Sequence, residues 1–194
     1  MEALAQSEAA AYRIGPGRLV LVVGPSGAGK DTLISGARLE CADAPAVIFP
    51  RRVVTRPSSA YEDHDAVDLE TFNRVAAEGS FALWWEAHSH RYGVPISIDD
   101  DIRLGRTVVC NVSRTVTDHA KRRYAAVSVV LITAPQRILA ARLATRDRGS
   151  DGDVATRVAR SANLKDTCQA DHVIHNVGPP TIGIRRLVDV IRSP

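Results

Sequence analysis

A single α/β domain on a mostly parallel sheet is what this sequence predicts, and three observations point there. Short, continuous apolar runs recur, as at 18–23 (RLVLVV), 106–112 (RTVVCNV) and 127–133. Runs of that length without alternation suit strands buried on both faces, which is the habit of parallel strands. Stretches of helical pattern separate them, so strands and helices alternate over most of the chain. The first run also leads directly into a glycine cluster, Gly24-Pro25-Ser26-Gly27-Ala28-Gly29, followed by Lys30.

Taken in order, residues 1–17 show no periodicity and end in Gly15-Pro16-Gly17, so they read as a loose leader. The domain proper is expected over 18–194. A strand at 18–23 gives way to a helix over 30–40, and a second strand fits 47–55. Segment 58–68 is polar and acidic and reads as a loop. A short helix over 69–77 is stopped by Gly79, and 80–86 and 90–93 read as two short strands. Then come a buried strand at 106–112, a helix at 115–123 and a strand at 127–133 closed by Pro135. Segment 136–146 reads as helix, 148–153 as a loop rich in Gly and Asp, and 154–164 as helix. A strand at 171–176 and a closing helix at 181–192 complete the chain. The polar insert of about 56–93 breaks the alternation and reads as a small lobe over the sheet edge.

Composition narrows the function classes. The chain has 194 residues, 45% of them hydrophobic, enough for one domain with its own core. With 25 basic and 22 acidic residues the net charge is only +3, which gives little support to a nucleic-acid partner. Aromatics at 5% argue against a base-stacking single-strand binder. The three cysteines, Cys41, Cys110 and Cys168, are widely spaced and form neither a metal-ligand pattern nor a disulfide framework; Cys110, inside an apolar run, reads as a core residue. The first 11 residues lack a basic, apolar leader pattern, and the longest apolar run falls far short of the ~20 residues a spanning helix needs. The expectation is a cytoplasmic protein with no membrane partner.

The glycine cluster carries the chemistry. Gly24, Pro25, Ser26, Gly27, Ala28, Gly29 and Lys30 form a phosphate loop in its required setting, after a strand and before a helix. Glycines let the backbone approach an anion, and the loop amides and helix N-terminus face it. The position after the lysine departs from the usual Ser or Thr. It is Asp31, followed by Thr32. A carboxylate is a hard oxygen donor suited to Mg²⁺, so Asp31 and Thr32 are the expected metal-side residues.

Further segments follow the loop in a recognisable order: Thr55-Arg56-Pro57, Tyr92-Gly93, arginines at 142, 146, 148, 157 and 160, and His175-Asn176. In this order the chain resembles the guanylate kinase fold from about 18 to 178. The resemblance implies a P-loop kinase with a mostly parallel core sheet, a small acceptor-binding lobe at about 56–93 and an Arg-rich lid at about 146–155. The departures fall where guanine would be read. Leu83 stands where guanylate kinases carry a base-bonding Glu, and Arg52 where they carry a base-contacting Ser. A pocket lacking those polar groups has nothing to discriminate a purine edge. Ser59 falls on the place of the second phosphate-binding arginine, and His64 near that of a phosphate-binding tyrosine.

A narrower set of segments comprises Gly24 to Leu33, Arg51-Arg52-Val53-Val54-Thr55-Arg56, Glu62-Asp63-His64, Phe81-Ala82-Leu83-Trp84-Trp85, Tyr92-Gly93-Val94 and Asn111-Val112-Ser113-Arg114. It resembles the ribose 1,5-bisphosphate phosphokinases of phosphonate degradation. That resemblance implies transfer of the ATP γ-phosphoryl to a phosphate of a small phosphorylated sugar, with ATP and Mg²⁺ as cofactors. Lys30 is expected on the β- and γ-phosphates. Arg52 and Arg56 are expected on acceptor phosphates, as planar bidentate donors, with His64, Tyr92, Asn111 and Arg114 as further acceptor contacts. Guanylate kinases carry an acidic residue at the place of Asn111, so Asp31 is expected to supply the carboxylate this strand lacks. Arg146 and Arg157 match the catalytic lid arginines, and Asn176 an adenine contact. His88 and His90 read as a surface hairpin, and Trp84 and Trp85 as lobe packing. Homodimer formation is an open expectation. The competing expectations are a guanylate or related nucleotide kinase, and a nonenzymatic guanylate-kinase-like interaction module.

Overall fold

The computed structural model describes residues 13–57, 64–144 and 169–193. In chain order its elements are β1 (Ile14–Val23), α1 (Lys30–Glu40), β2 (Val47–Ile48), β3 (Arg52–Val54), β4 (His64–Ala66), α2 (Leu69–Ala77), β5 (Phe81–Ala87), β6 (His90–Pro95) and α3 (Ile98–Arg103). They continue with β7 (Thr107–Asn111), a 3-10 turn (Arg114–Val116), α4 (Thr117–Arg123), β8 (Tyr124–Thr133), α5 (Gln136–Ala144), β9 (His172–His175) and α6 (Pro180–Arg192). A five-stranded sheet has the order β2-β7-β1-β8-β9, with every neighbouring pair parallel. A four-stranded mixed sheet, β4-β3-β6-β5, forms the lobe.

The apolar run of β1 is buried because its two faces serve two cores. Leu19, Leu21 and Val23 enter a cluster with Ile98 and Ile102 of α3, Ala120 of α4 and lobe residues Leu83, Trp85, Tyr92 and Val94. Val20 and Val22 enter the opposite one with Leu33 and Ala37 of α1, Leu139 of α5 and Leu187 and Ile191 of α6. Alternate side chains of one strand thus anchor both helical layers. The lobe strands share the first core, so they pack on the sheet as an extension of it. Arg18 adds a tie across the chain. Its guanidinium donates to the Val190 and Ile191 carbonyls at 3.1 and 2.6 Å, satisfying the exposed end of α6.

Several boundaries differ from the sequence expectation. β1 begins at Ile14, so 14–17 belong to the sheet and not to a leader. Ile14 pairs with Tyr124 across an irregularity before Arg18. Gly17 makes this possible, since a Cβ there would lie 2.3 Å from the Arg106 carbonyl oxygen. The strand expected at 47–55 is two strands in two sheets. β2 pairs with β7 and β3 with β4 and β6; Pro50 between them has no N–H to continue a ladder. Segment 58–68, read as loop, contains β4. Helix α3 is unanticipated, because three consecutive aspartates mask its period. Residues 1–12, the lid at 146–155 and the helix expected at 154–164 lie outside the described residues.

Away from the phosphate loop, α3 supplies a buried charge. Asp99 is 4% exposed. It pairs with Arg123 and accepts a hydrogen bond from the Tyr124 hydroxyl at 2.7 Å. Burial, then the bond to Asp99, pushes the Tyr124 phenol well above its usual range. Breaking a buried pair typically costs ~3–5 kcal/mol, and without Arg123 the Asp99 carboxylate would keep only the Tyr124 hydroxyl and Arg103 at 3.9 Å. Arg123 is partly exposed, so the lower end applies. Arg123→Ala is expected to lower the melting temperature by roughly 6–12 °C in a domain of this size, without altering ATP affinity. Calorimetry with and without nucleotide checks both halves.

Candidate active site

The phosphate loop runs from the C-terminal end of β1 to the first turn of α1, at the centre of the parallel sheet. Ligands gather at such places in open α/β folds. Two glycines are forced by their neighbours. Gly24 has φ 147°, and a Cβ there would sit 2.0 Å from the Ile132 carbonyl oxygen of β8. Gly29 caps α1 in the left-handed region at φ 88°, with Asn176 Nδ2 2.5 Å from where its Cβ would be. The Lys30 ammonium donates to the carbonyls of Gly24 and Pro25 at 2.8 and 3.1 Å. It therefore lies across the loop rim, held partly by neutral acceptors that an anionic phosphate outcompetes.

Beside it, three residues from three elements meet. Asn111 ends β7 in register with Val22 of β1. Its amide Nδ2 donates to Asp31 Oδ1 at 2.7 Å. Arg52 of β3 reaches the same oxygen at 3.6 Å and donates to the Asn111 carbonyl at 3.4 Å. The carboxylate expected to stand in for the one missing from β7 is thus physically bonded to that position. Both contacts are made to Oδ1. A single carboxylate here fits Mg²⁺ that is otherwise held by substrate phosphates and water. It does not fit a protein-only cage, and no group of three or more His, Cys, Asp or Glu ligands occurs among the described residues. Thr32 is exposed one position on. Cys110, next to Asn111, is buried, and burial pushes its thiol up to about 12; it is a packing residue without nucleophilic character.

The lobe brings Arg52, with Tyr92 beside it, to this side, and Arg56 follows two positions after β3. Tyr92 stacks on Trp85 at 5.4 Å, nearly parallel, and the Arg52 guanidinium lies 6.0 Å from the Tyr92 ring. Arg52 therefore bridges lobe and phosphate loop. Leu83 is 1% exposed and belongs to the shared core. Trp84 is half exposed and meets Phe72 edge-on at 6.5 Å, which is lobe packing. His88 and Ser89 take positive φ in the β5–β6 turn, the hairpin expected there. Arg114 lies in the 3-10 turn just beyond Asn111.

Two of the expected contact residues are bonded to protein backbone. His64 is buried, and its Nε2 donates to the Arg56 carbonyl at 3.1 Å. It holds the backbone of a neighbouring residue. Asn176 is likewise buried, and its Nδ2 donates to the Ala28 carbonyl at 2.8 Å. Its amide nitrogen braces the phosphate loop. Arg142 extends the same strut, donating to the Asn176 carbonyl at 3.1 Å. Arg146 and Arg157 lie outside the described residues. The strut joins residues far apart in sequence, so spacing alone carries no trace of it.

A phosphate loop at the end of the central strand of a parallel sheet, with a mixed-sheet lobe beside it, defines an α/β P-loop kinase. Guanylate kinase from Anaplasma phagocytophilum superposes with a TM-score of 0.67 at 19% identity, covering 92% of this chain and 86% of that one. That likeness establishes the guanylate-kinase-like fold. No family model matches the chain. Full-length relatives do. It is 56% identical over 192 residues to ribose 1,5-bisphosphate phosphokinase PhnN of Rhodopseudomonas palustris, covering 99% of this chain and 97% of the relative. It is 55% identical over 190 residues to the protein of the same name from Bradyrhizobium diazoefficiens, covering 98% and 94%. The chain belongs to the ribose 1,5-bisphosphate phosphokinase family.

Proposed function

We infer that the chain transfers the γ-phosphoryl group of ATP to the 1-phosphate of ribose 1,5-bisphosphate. The products are 5-phosphoribosyl 1-diphosphate and ADP. The name of the relatives supplies the acceptor. The structural observation that carries it over a purine nucleotide is Leu83, sealed in the core where guanylate kinases carry a base-bonding glutamate.

The chemistry asks little of acids and bases. An oxygen of the acceptor's 1-phosphate attacks the γ-phosphorus, and the bond to the β–γ bridging oxygen breaks, leaving its electron pair on ADP. That nucleophile is already anionic at neutral pH, so no general base is required. Catalysis rests on alignment and on cations that hold charge. Lys30 moves from the loop carbonyls to the β- and γ-phosphates. Arg52, Arg56 and Arg114 take acceptor phosphates, with Tyr92 and Asn111 beside them. Asp31 with Thr32 would hold the shell of Mg²⁺, which would supply neutralising charge to the nucleotide phosphates. Arg146 and Arg157 are assigned to the lid that closes over the nucleotide. Among the described residues no helix is long and apolar enough to cross a membrane, in keeping with a cytoplasmic enzyme acting on small phosphorylated sugars.

ADP release from Mg·ATP with either ribose 1,5-bisphosphate or GMP as acceptor tests the reading. Turnover with the sugar bisphosphate and none with GMP is the expected result. Turnover with GMP alone would overturn the acceptor assignment. A protein that binds ATP yet turns over neither would favour an interaction module, a role the intact loop with Lys30 argues against.

A further inference from the structure

The turn that presents Arg56 is gripped at two successive carbonyls by two imidazoles from different strands. His64 of β4 places Nε2 3.1 Å from the Arg56 carbonyl oxygen. His90 of β6 places Nδ1 3.1 Å from the Thr55 carbonyl oxygen. A carbonyl only accepts, so these contacts assign the proton to Nε2 of His64 and to Nδ1 of His90. The Thr55 amide also donates to the Arg91 carbonyl at 3.0 Å, and the Arg91 amide donates to Thr55 Oγ1 at 2.8 Å.

Pro57 gives the arrangement its meaning. The peptide between Arg56 and Pro57 has no N–H, so its orientation can be fixed only through the Arg56 oxygen. His64 supplies the donor at that oxygen. The residue before a proline is also biased to extended backbone. Together these leave the Arg56 backbone little freedom, so its side chain departs from a set point. His64 does this at a cost. It is 2% exposed, and its Nδ1 has no hydrogen-bond partner among the described residues. An apolar side chain of similar volume would fill the space without burying an unsatisfied nitrogen. Packing alone therefore does not account for a histidine here.

We propose that His64 and His90 are positioning residues that aim Arg56 at the acceptor phosphate. The proposal rests on the reading of Arg56 as an acceptor-binding arginine. His64→Leu removes the donor, whereas His64→Gln keeps an amide nitrogen near the place of Nε2. Both are measured by ADP release with each substrate varied in turn. For His64→Leu the expected result is a KM for ribose 1,5-bisphosphate raised roughly tenfold, the scale of one lost buried hydrogen bond. kcat and the KM for ATP stay within about twofold. His64→Gln recovers most of the loss, an outcome a merely structural role would not predict. His90→Ala, on a half-exposed hairpin, raises the same KM less and covers the case in which His64→Leu fails to fold. In an Arg56→Ala background neither histidine variant has further effect, since residues acting through one another are not additive.

An unchanged acceptor KM in folded His64→Leu and in His90→Ala would overturn the proposal, as would equal losses for both substrates or full additivity with Arg56→Ala. If Arg56→Ala itself left the acceptor KM unchanged, the reading of Arg56 would fail and the proposal with it. If Arg56→Ala raised it and the histidine variants did not, the clamp alone would fail.

Discussion

Lys30→Met is expected to lower kcat by about 10³-fold while the protein melts within a few degrees of the wild type. A single preorganised donor to a transition-state charge is worth ~10²–10³ in rate, and a cation on the transferring phosphoryl group more, ~10³–10⁵. Methionine keeps the unbranched stem that packs along the loop and deletes only the ammonium. That ammonium bonds the Gly24 and Pro25 carbonyls of a half-buried loop, and water can replace it there. The cost should therefore fall on the reaction and little on the fold. Single-turnover ADP formation separates the chemical step from release. A loss below tenfold in that step would mean that the ammonium does not travel with the γ-phosphoryl group, and catalysis would have to be reassigned to the arginines.

How much of this could be read from sequence depends on how local each determinant is. The phosphate loop is legible because strand, glycines, lysine and helix are contiguous, and the helix over 30–40 agrees with α1 to the residue. Leu83 is legible for a different reason, since the length of one hairpin sets its distance from Tyr92, and the two strands pair as an antiparallel unit. The division of 47–55 between two sheets is not legible. Both halves have strand composition, and only the partners, β7 for one and β4 and β6 for the other, separate them. The same limit hides the site's internal wiring. Asn111 and Asp31 are 80 positions apart, and Asn176 and Ala28 148 apart. His64 and Asn176 each bond a loop carbonyl, and a side chain that holds the backbone of a binding residue occupies nearly the same place as one that binds. Burial distinguishes the two, and burial of a polar residue in a loop-rich segment follows from tertiary packing alone.

The wiring around Asp31 leads to the second large effect. Asp31→Asn keeps the shape of the side chain and an acceptor for the Asn111 amide, so the contact between α1 and β7 survives. It removes the carboxylate charge on the loop side of Arg52. The Mg²⁺ concentration for half-maximal rate is expected to rise about 10- to 100-fold, the range typical for losing a group that orients a bound metal. The Mg²⁺-dependent part of the thermal shift with ADP should shrink in parallel, a readout that needs no turnover. Arg52 sharpens the expectation. At 3.6 Å its guanidinium competes with a cation for Asp31, so Arg52→Gln should strengthen Mg·ADP binding slightly while weakening acceptor binding. The decisive variant exchanges the pair. Asp31→Asn combined with Asn111→Asp restores one carboxylate to the contact, now on β7. If the site needs that charge at this place, whichever strand or helix supplies it, the exchange recovers a substantial part of the Mg²⁺ affinity lost in Asp31→Asn. Asn111→Asp alone sets two carboxylates at 2.7 Å contact distance, raises the affinity of one of them for a proton and should bind Mg²⁺ more tightly with a steeper dependence on pH. An exchange no better than Asp31→Asn, with folding intact, would show that Asp31 acts through α1 and not through the charge it shares with β7.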